Sequence, residues 1–154
     1  MNLLFLVECD ISDEEWDRTA AKRFDPDAQP IFDCFYGNVQ LYVGDQPLLG
    51  AGYHMSVGDL ACGLAVILSR DLPEPGDRDS AVFEQSDDAL RITFERRGDE
   101  LTIASNQGRA RCITTMPAFL AGTRAFLHHF AKEASERVPA ALDWKDLEVL
   151  RQYR

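Results

Sequence analysis

No segment of this chain carries a reactive signature. A G-x-S-x-G elbow, a G-x-x-x-x-G-K-S/T phosphate loop, a G-x-G-x-x-G turn and an H-E-x-x-H pair are all absent. The sequence therefore offers no motif for nucleophilic hydrolysis, nucleotide binding or zinc proteolysis, and no cofactor is expected. No two of Cys9, Cys34, Cys62 and Cys112 stand at C-x-x-C spacing, so a zinc site or a thioredoxin-like centre has no local support. Each cysteine lies in a mainly apolar stretch and is expected to be a buried thiol. Long apolar runs are missing too. The longest after the N-terminus, residues 60–68, falls far short of the roughly 20 residues that span a bilayer. The apolar start, Met1–Val7, lacks a basic n-region and runs straight into Glu8 and Asp10, unlike a secretory signal. These absences predict a cytoplasmic protein without a membrane partner. Lysine is scarce as well, at three against thirteen arginines.

What the chain does have is acid, unevenly placed. The formal net charge is −10. Residues 1–79 hold fifteen acids against five bases, whereas residues 80–154 hold eleven of each. Such asymmetry bears on partners and association rate rather than on fold. Nucleic-acid binding is disfavoured, because phosphate neutralisation wants a net basic surface. A basic protein partner is favoured.

A chain of 154 residues suits one domain, 1–154, which at this length buries roughly 68–70% of its unfolded surface. Its patterning predicts an α+β fold. Residues 2–9 read as a buried strand. Ser12, followed three residues later by Glu15, is a capping-box signature for a helix over about 13–23. Asp25-Pro26 and Gln29-Pro30 then make a loop. Residues 32–43 read as a strand, Gly44-Asp45 as a hairpin turn and Gln46–Leu49 as a short edge strand that tolerates Pro47. Gly50 and Gly52 loosen the connection onward. Ser56 caps a helix to Leu68 that is apolar nearly all round and therefore buried. Gly63 in its middle points to close packing against a sheet. A loop at 71–79 leads to a meander from Ala81 to Thr114, with turns at Gly98 and Gly108. Pro117 opens the longest helix, to about Arg137, and Asp143 is placed to cap a last short helix bearing Trp144, Leu147 and Leu150. The expected architecture is an antiparallel sheet packed by a buried middle helix and a long helix in the C-terminal half.

Candidate chemistry is sparse. His128 and His129 are adjacent and point about 100° apart on a helix, so they cannot chelate one ion together. His129 and Glu133 share a face without two further ligands, and no metal is expected. Asp87-Asp88 and Glu14-Glu15 read as turn and cap residues rather than as a catalytic pair. Arg109 and Arg111 share one strand face and could bind an anion. Their alternative, shared with Arg91, Arg96 and Arg97 on the same meander, is cross-strand pairing with Glu84, Glu95 and Glu100. No catalytic residue stands out. The best functional candidate is the acidic segment Glu14, Glu15, Trp16 and Asp17, where a tryptophan could anchor an interface within an acidic rim. The competing reading makes Trp16 a core residue, and its exposure decides between them.

The order of a strand Phe35–Val43 with its Gly44-Asp45 turn, a buried helix Ser56–Leu68, a meander Ala81–Thr115 and a helix Pro117–Arg137 resembles the small acidic α+β immunity proteins of bacterial polymorphic toxin systems. The resemblance implies a non-catalytic function: binding a cognate toxin, often a basic nuclease, and blocking it. The rival expectation is a small-molecule binder or an enzyme with its site near Gly50–His54 and the arginine-bearing strands. A third is a homodimer formed through an exposed edge strand or the Trp144 helix.

Overall fold

The computed structural model describes residues 3–22, 33–50, 52–71, 80–85, 89–108 and 111–153. The loop expected at 25–30 and all of that expected at 71–79 except Asp71, together with Asp87, Asp88 and Arg109, lie outside the described residues.

The fold is α+β, with two antiparallel sheets. The first contains β1 (Phe5–Asp10), β2 (Tyr36–Val43), β3 (Gln46–Pro47) and β4 (Tyr53–Ser56). β2 pairs with β1 on one side and with both β3 and β4 on the other. The second is a meander of β5 (Ser80–Glu84), β6 (Arg91–Arg97), β7 (Glu100–Ser105) and β8 (Arg111–Thr115) in sequential order. The helices are α1 (Asp13–Ala21), α2 (Val57–Val66, widening into a π-turn over Ile67–Asp71) and α3 (Met116–Arg137). Two 3-10 segments, Ala141–Asp143 and Lys145–Tyr153, close the chain.

Local signals set the helix starts. The Ser12 hydroxyl accepts from the Glu15 amide at 3.1 Å, and the Ser56 hydroxyl from the Asp59 amide at 3.2 Å, so each satisfies an orphan helix donor. Pro117 sits in the first turn of α3, where its missing N–H is harmless. Gly44 adopts φ +59° in the β2–β3 turn, a conformation that glycine takes without steric cost.

Period-2 alternation then sends one face of each sheet inward. Phe5 and Val7 on β1 and Val39, Leu41 and Val43 on β2 are buried, as are Ile92 and Phe94 on β6 and Leu101 and Ile103 on β7. α3 packs against β1, β7 and β8, and α2 against β2 and β5. The close approach expected at Gly63 is to Phe83 on β5: a Cβ there would lie 2.3 Å from the ring. Phe35, immediately before β2, is fully buried at φ +60°. Its amide donates to the Thr19 hydroxyl at 3.1 Å and its carbonyl accepts from the Val57 amide at 2.9 Å. Those bonds, and ring contacts with Trp16, Phe130 and Trp144, offset a left-handed conformation that costs a non-glycine residue about 1–2 kcal/mol.

Two local readings change. Residues 53–56 are not part of a loosened connection but the strand β4, paired with Tyr36–Val39. The last helix is 3-10 rather than α, although Trp144, Leu147 and Leu150 are buried as its pattern implied. Among the described residues, no helix is long and apolar enough to cross a membrane.

Candidate functional site

The acidic segment divides between surface and interior. Trp16 is only 2% exposed. Its ring meets Phe35 edge-on at 5.7 Å and Phe130 at 6.4 Å, with the Arg137 guanidinium 5.7 Å from its centroid. It is a core residue and cannot anchor an interface, contrary to the expectation that grouped it with Glu14, Glu15 and Asp17. The cause is the helix period: Trp16 and Thr19, three apart, form the inward face of a short amphipathic helix. Glu14 and Asp17 remain exposed.

Glu15 is half-buried and tied to the fold. Its carboxylate accepts from Arg18 at 2.7 Å through both Nε and Nη2, from the Thr19 hydroxyl at 3.2 Å and from the Tyr36 amide at 3.0 Å. Glu15 therefore stitches α1 to the start of β2 and is not offered to a partner. Burial pushes this carboxyl upward, but the bonds from Arg18, Tyr36 and Thr19, with the Arg18 charge, outweigh it and hold it below the ordinary carboxylate value. A pKa depressed by folding contributes stability above the unfolded value, and that contribution is lost as pH falls through the folded one. Glu15→Gln is accordingly expected to cost about 1.5 kcal/mol at pH 7. The difference from wild type should close as both are acidified below the carboxylate range. Urea unfolding at several pH values measures it, and an equal loss at every pH would remove the charge from the account.

A concavity lies elsewhere, along β1. It is a groove of about 570 Å³ bounded by Leu6 to Asp10, by Asn38, Gln40 and Tyr42 on β2, and by Gly122, Ala125 and His129 on α3. The β1–β2 register explains its floor. The Gly44 amide donates to the Leu4 carbonyl at 2.8 Å, and with Leu6 opposite Tyr42 and Glu8 opposite Gln40, the even residues of β1 exchange the ladder bonds. The main-chain groups of Phe5, Val7 and Cys9 point the other way, to the edge along which α3 is packed. At Leu3 that edge is occupied by the Thr114 hydroxyl, which donates to the Leu3 carbonyl at 2.5 Å. At Phe5 it is covered by Gly122, whose Cβ position lies 2.0 Å from the Phe5 carbonyl oxygen. Beyond Phe5, at Val7 and Cys9, no hydrogen bond to a described residue fills it.

The groove is acidic at one end. Glu8 and Asp10 project from the outer face of β1 and form no ion pair among the described residues. Glu133 follows one turn after His129, which it meets at 3.4 Å. The Cys9 thiol faces this end, where burial, then Glu133 and then Asp10 push its pKa up to about 11. Such a thiol stays protonated at neutral pH and is no nucleophile. Asp13 continues the acidic surface onto α1, where it pairs with Arg137 at 2.5 Å.

The remaining candidates separate. His54 is exposed on β4, stacked on Tyr36 at 5.7 Å and 3.3 Å from the Asn38 side-chain oxygen. Arg111 lies on the other sheet, paired with Glu95 at 3.4 Å, beside an Arg91–Glu84 pair at 3.3 Å. Among the described residues no contact joins His54 to the arginines. Arg96 is buried on the inner face, where its Nε donates to the Gly98 carbonyl at 2.7 Å. His128 lies within hydrogen-bonding distance of the Tyr153 carbonyl at 2.6 Å, whereas His129 turns to Glu133. No group of three potential metal ligands occurs among the described residues. Comparison with protein-family models, curated proteins and solved structures gives no match. The functional argument therefore rests on the groove and its charge.

Proposed function

We propose that this chain is a non-enzymatic protein-binding module, an immunity-type inhibitor of a basic protein partner such as a toxin. The observation that carries the reading is the coincidence of the groove along β1 with carboxylates that form no ion pair among the described residues: Glu8 and Asp10 line it, and Glu14 and Asp17 lie exposed on the helix that follows. Four free thiols fit a cytoplasmic location. One feature favours binding over catalysis here: burial and the neighbouring carboxylates hold the Cys9 thiol protonated.

Acids around a docking surface speed encounter with a cationic partner. The partner is to be captured from the native host and its association measured by stopped flow. Glu8→Lys with Asp10→Lys is expected to slow association about tenfold at low salt and to flatten its dependence on ionic strength. Glu14→Lys with Asp17→Lys should act in the same direction. Association that is independent of salt, or unchanged by all four reversals, would remove this face from the interface.

A further inference from the structure

We infer that the partner meets the outer face of the first sheet with an amphipathic α-helix, apolar where it crosses Leu4 and Leu6 and lysine- or arginine-bearing where it crosses Glu8 and Asp10. This rests on the acidic-face reading above and specifies what that face grips. α3 closes the edge of β1 but leaves this face uncovered: Leu4 is 68% and Leu6 47% exposed, and Glu8, Asp10, Asn38 and His54 are exposed beside them. The register sets these residues in rows. Leu6 stands opposite Tyr42, and Tyr42 opposite Pro47; Glu8 stands opposite Gln40; Asp10 stands opposite Asn38, and Asn38 opposite His54. The face is therefore apolar at the Leu4 end of β1 and acidic at the Asp10 end. Gly122, Ala125 and His129 on α3 stand along one side of it.

The backbone of β1 selects the partner's conformation. Its even residues already exchange ladder bonds with β2 and its odd residues are turned to α3, so the face offers side chains alone. An extended segment laid on Leu6 and Tyr42 would bury main-chain N–H and C=O groups without partners, which is costly. An α-helix satisfies those groups internally and presents side chains only, the mode in which amphipathic helices occupy grooves. The spacing agrees. Two residues along β1 advance about 6.6 Å and one helical turn about 5.4 Å, so a helix aligned with β1 holds an apolar position near Leu6 and basic positions near Glu8 and Asp10 over two turns. Nucleic acid and anionic lipid would be repelled by the same carboxylates. A second copy of this chain is disfavoured, because it would bring Glu8 and Asp10 of the two molecules together. The outer face of the meander lacks this polarity: Val82 and Ile113, its exposed apolar residues, lie among charges already matched by Arg91–Glu84 and Arg111–Glu95.

The test uses the full chain and three synthetic fourteen-residue peptides, acetylated and amidated. The first, A-L-A-A-L-L-A-A-K-A-A-K-K-A, sets three leucines and then three lysines on one helical face. The second, A-L-A-A-L-L-K-A-A-A-K-A-A-K, has the same composition with its lysines on the opposite face. The third is the first with proline at its eighth position, which breaks the helix and keeps the charge. The first peptide is expected to bind in low salt, to gain helix by circular dichroism as it binds, and to shift the methyl resonances of Leu4 and Leu6 but not those of Val82 and Ile113. The second and third should bind at least about tenfold more weakly. Leu4→Ser with Leu6→Ser, at exposed positions, should weaken the first peptide about tenfold and leave the urea midpoint unchanged. Equal binding of the first peptide and either control, or binding indifferent to the two serines, overturns helix docking while the acidic-face reading stands. Shifts at Val82 and Ile113 in place of Leu4 and Leu6 overturn it too. No binding of the first peptide also overturns it, and the acidic-face reading then depends on its own kinetic test. A concentration-dependent dimer of the free protein that shifts the Leu4 and Leu6 methyls assigns the face to self-association and overturns the proposal.

Discussion

Replacing Trp16 with alanine is expected to destabilise the protein by about 3–5 kcal/mol, the range for deleting a large aromatic from a closed core. The upper part of that range applies, because the site has little means of collapsing. Trp16 enters from α1, Phe130 from α3, and Phe35 from a backbone position already fixed by the Thr19 hydroxyl and the Val57 amide. These groups belong to separate elements, so none can fill the void without moving its own segment. Arg137 would also lose the ring beneath its guanidinium. Trp16→Phe should lose much less. The indole N–H is buried without a hydrogen-bond partner among the described residues, and removing an unsatisfied donor recovers part of the cost of the smaller ring. Urea midpoints with an unchanged slope read both losses. A loss below about 1 kcal/mol for the alanine variant would be characteristic of a surface position and would return Trp16 to the interface.

That result bears on function as well as stability. A tryptophan flanked by acids resembles an interface anchor when only sequence neighbours are considered. The tertiary structure reverses the reading, because the acids flanking Trp16 leave opposite sides of a short helix. Asp13, Glu14 and Asp17 face water, Glu15 turns back to the chain, and the ring goes inward. The negative charge remains available to a partner, but the apolar component has to come from elsewhere. β1 supplies it through Leu4, at 68% exposure, and Leu6, at 47%. Both precede the acidic pair on the same outer face.

The parts of the fold that were legible in the sequence are those governed by a few adjacent residues. Ser12 and Ser56 mark helix starts through their own hydroxyls, Gly44 marks a turn through its positive φ, and Gly63 marks a contact through its missing Cβ. β4 was illegible because Tyr53–Ser56 is short and follows two turn-forming glycines; only pairing with Tyr36–Val39, about sixteen residues earlier, makes it a strand. Alternation likewise reports an inward face without saying which strands share a sheet. The groove was the least legible feature. It exists because α3 is laid beside β1 from more than a hundred residues away. The local trace of it is the pair of small residues Gly122 and Ala125, three apart on α3.

Gly122→Ala should therefore have an effect opposite in sign to the usual one. At an open helical position alanine stabilises by about 0.8–1.0 kcal/mol over glycine, through backbone entropy. Here the added methyl would lie 2.0 Å from the Phe5 carbonyl oxygen, 2.8 Å from its carbonyl carbon and 3.1 Å from its ring. The nearest two atoms are backbone, so no side-chain rotation relieves the clash. Either α3 withdraws from β1 or the strand bends away from β2, and each loosens the packing of Phe119 on Phe5, whose rings sit 5.2 Å apart. Overpacking of this kind costs about 1–3 kcal/mol, occasionally more. The clash should win, for a net loss of about 2 kcal/mol, read from the urea midpoint. A gain in stability would mean that α3 does not approach β1 this closely. Because Gly122 sets the spacing between strand edge and helix, the same variant should also alter the groove: a helix displaced outward opens the edge at Phe5 and speeds exchange of the Phe5 amide. Stability and groove shape are thus coupled through one missing methyl, and a variant that shifted exchange at Phe5 while leaving Trp16 fluorescence unchanged would confine the movement to the β1–α3 seam.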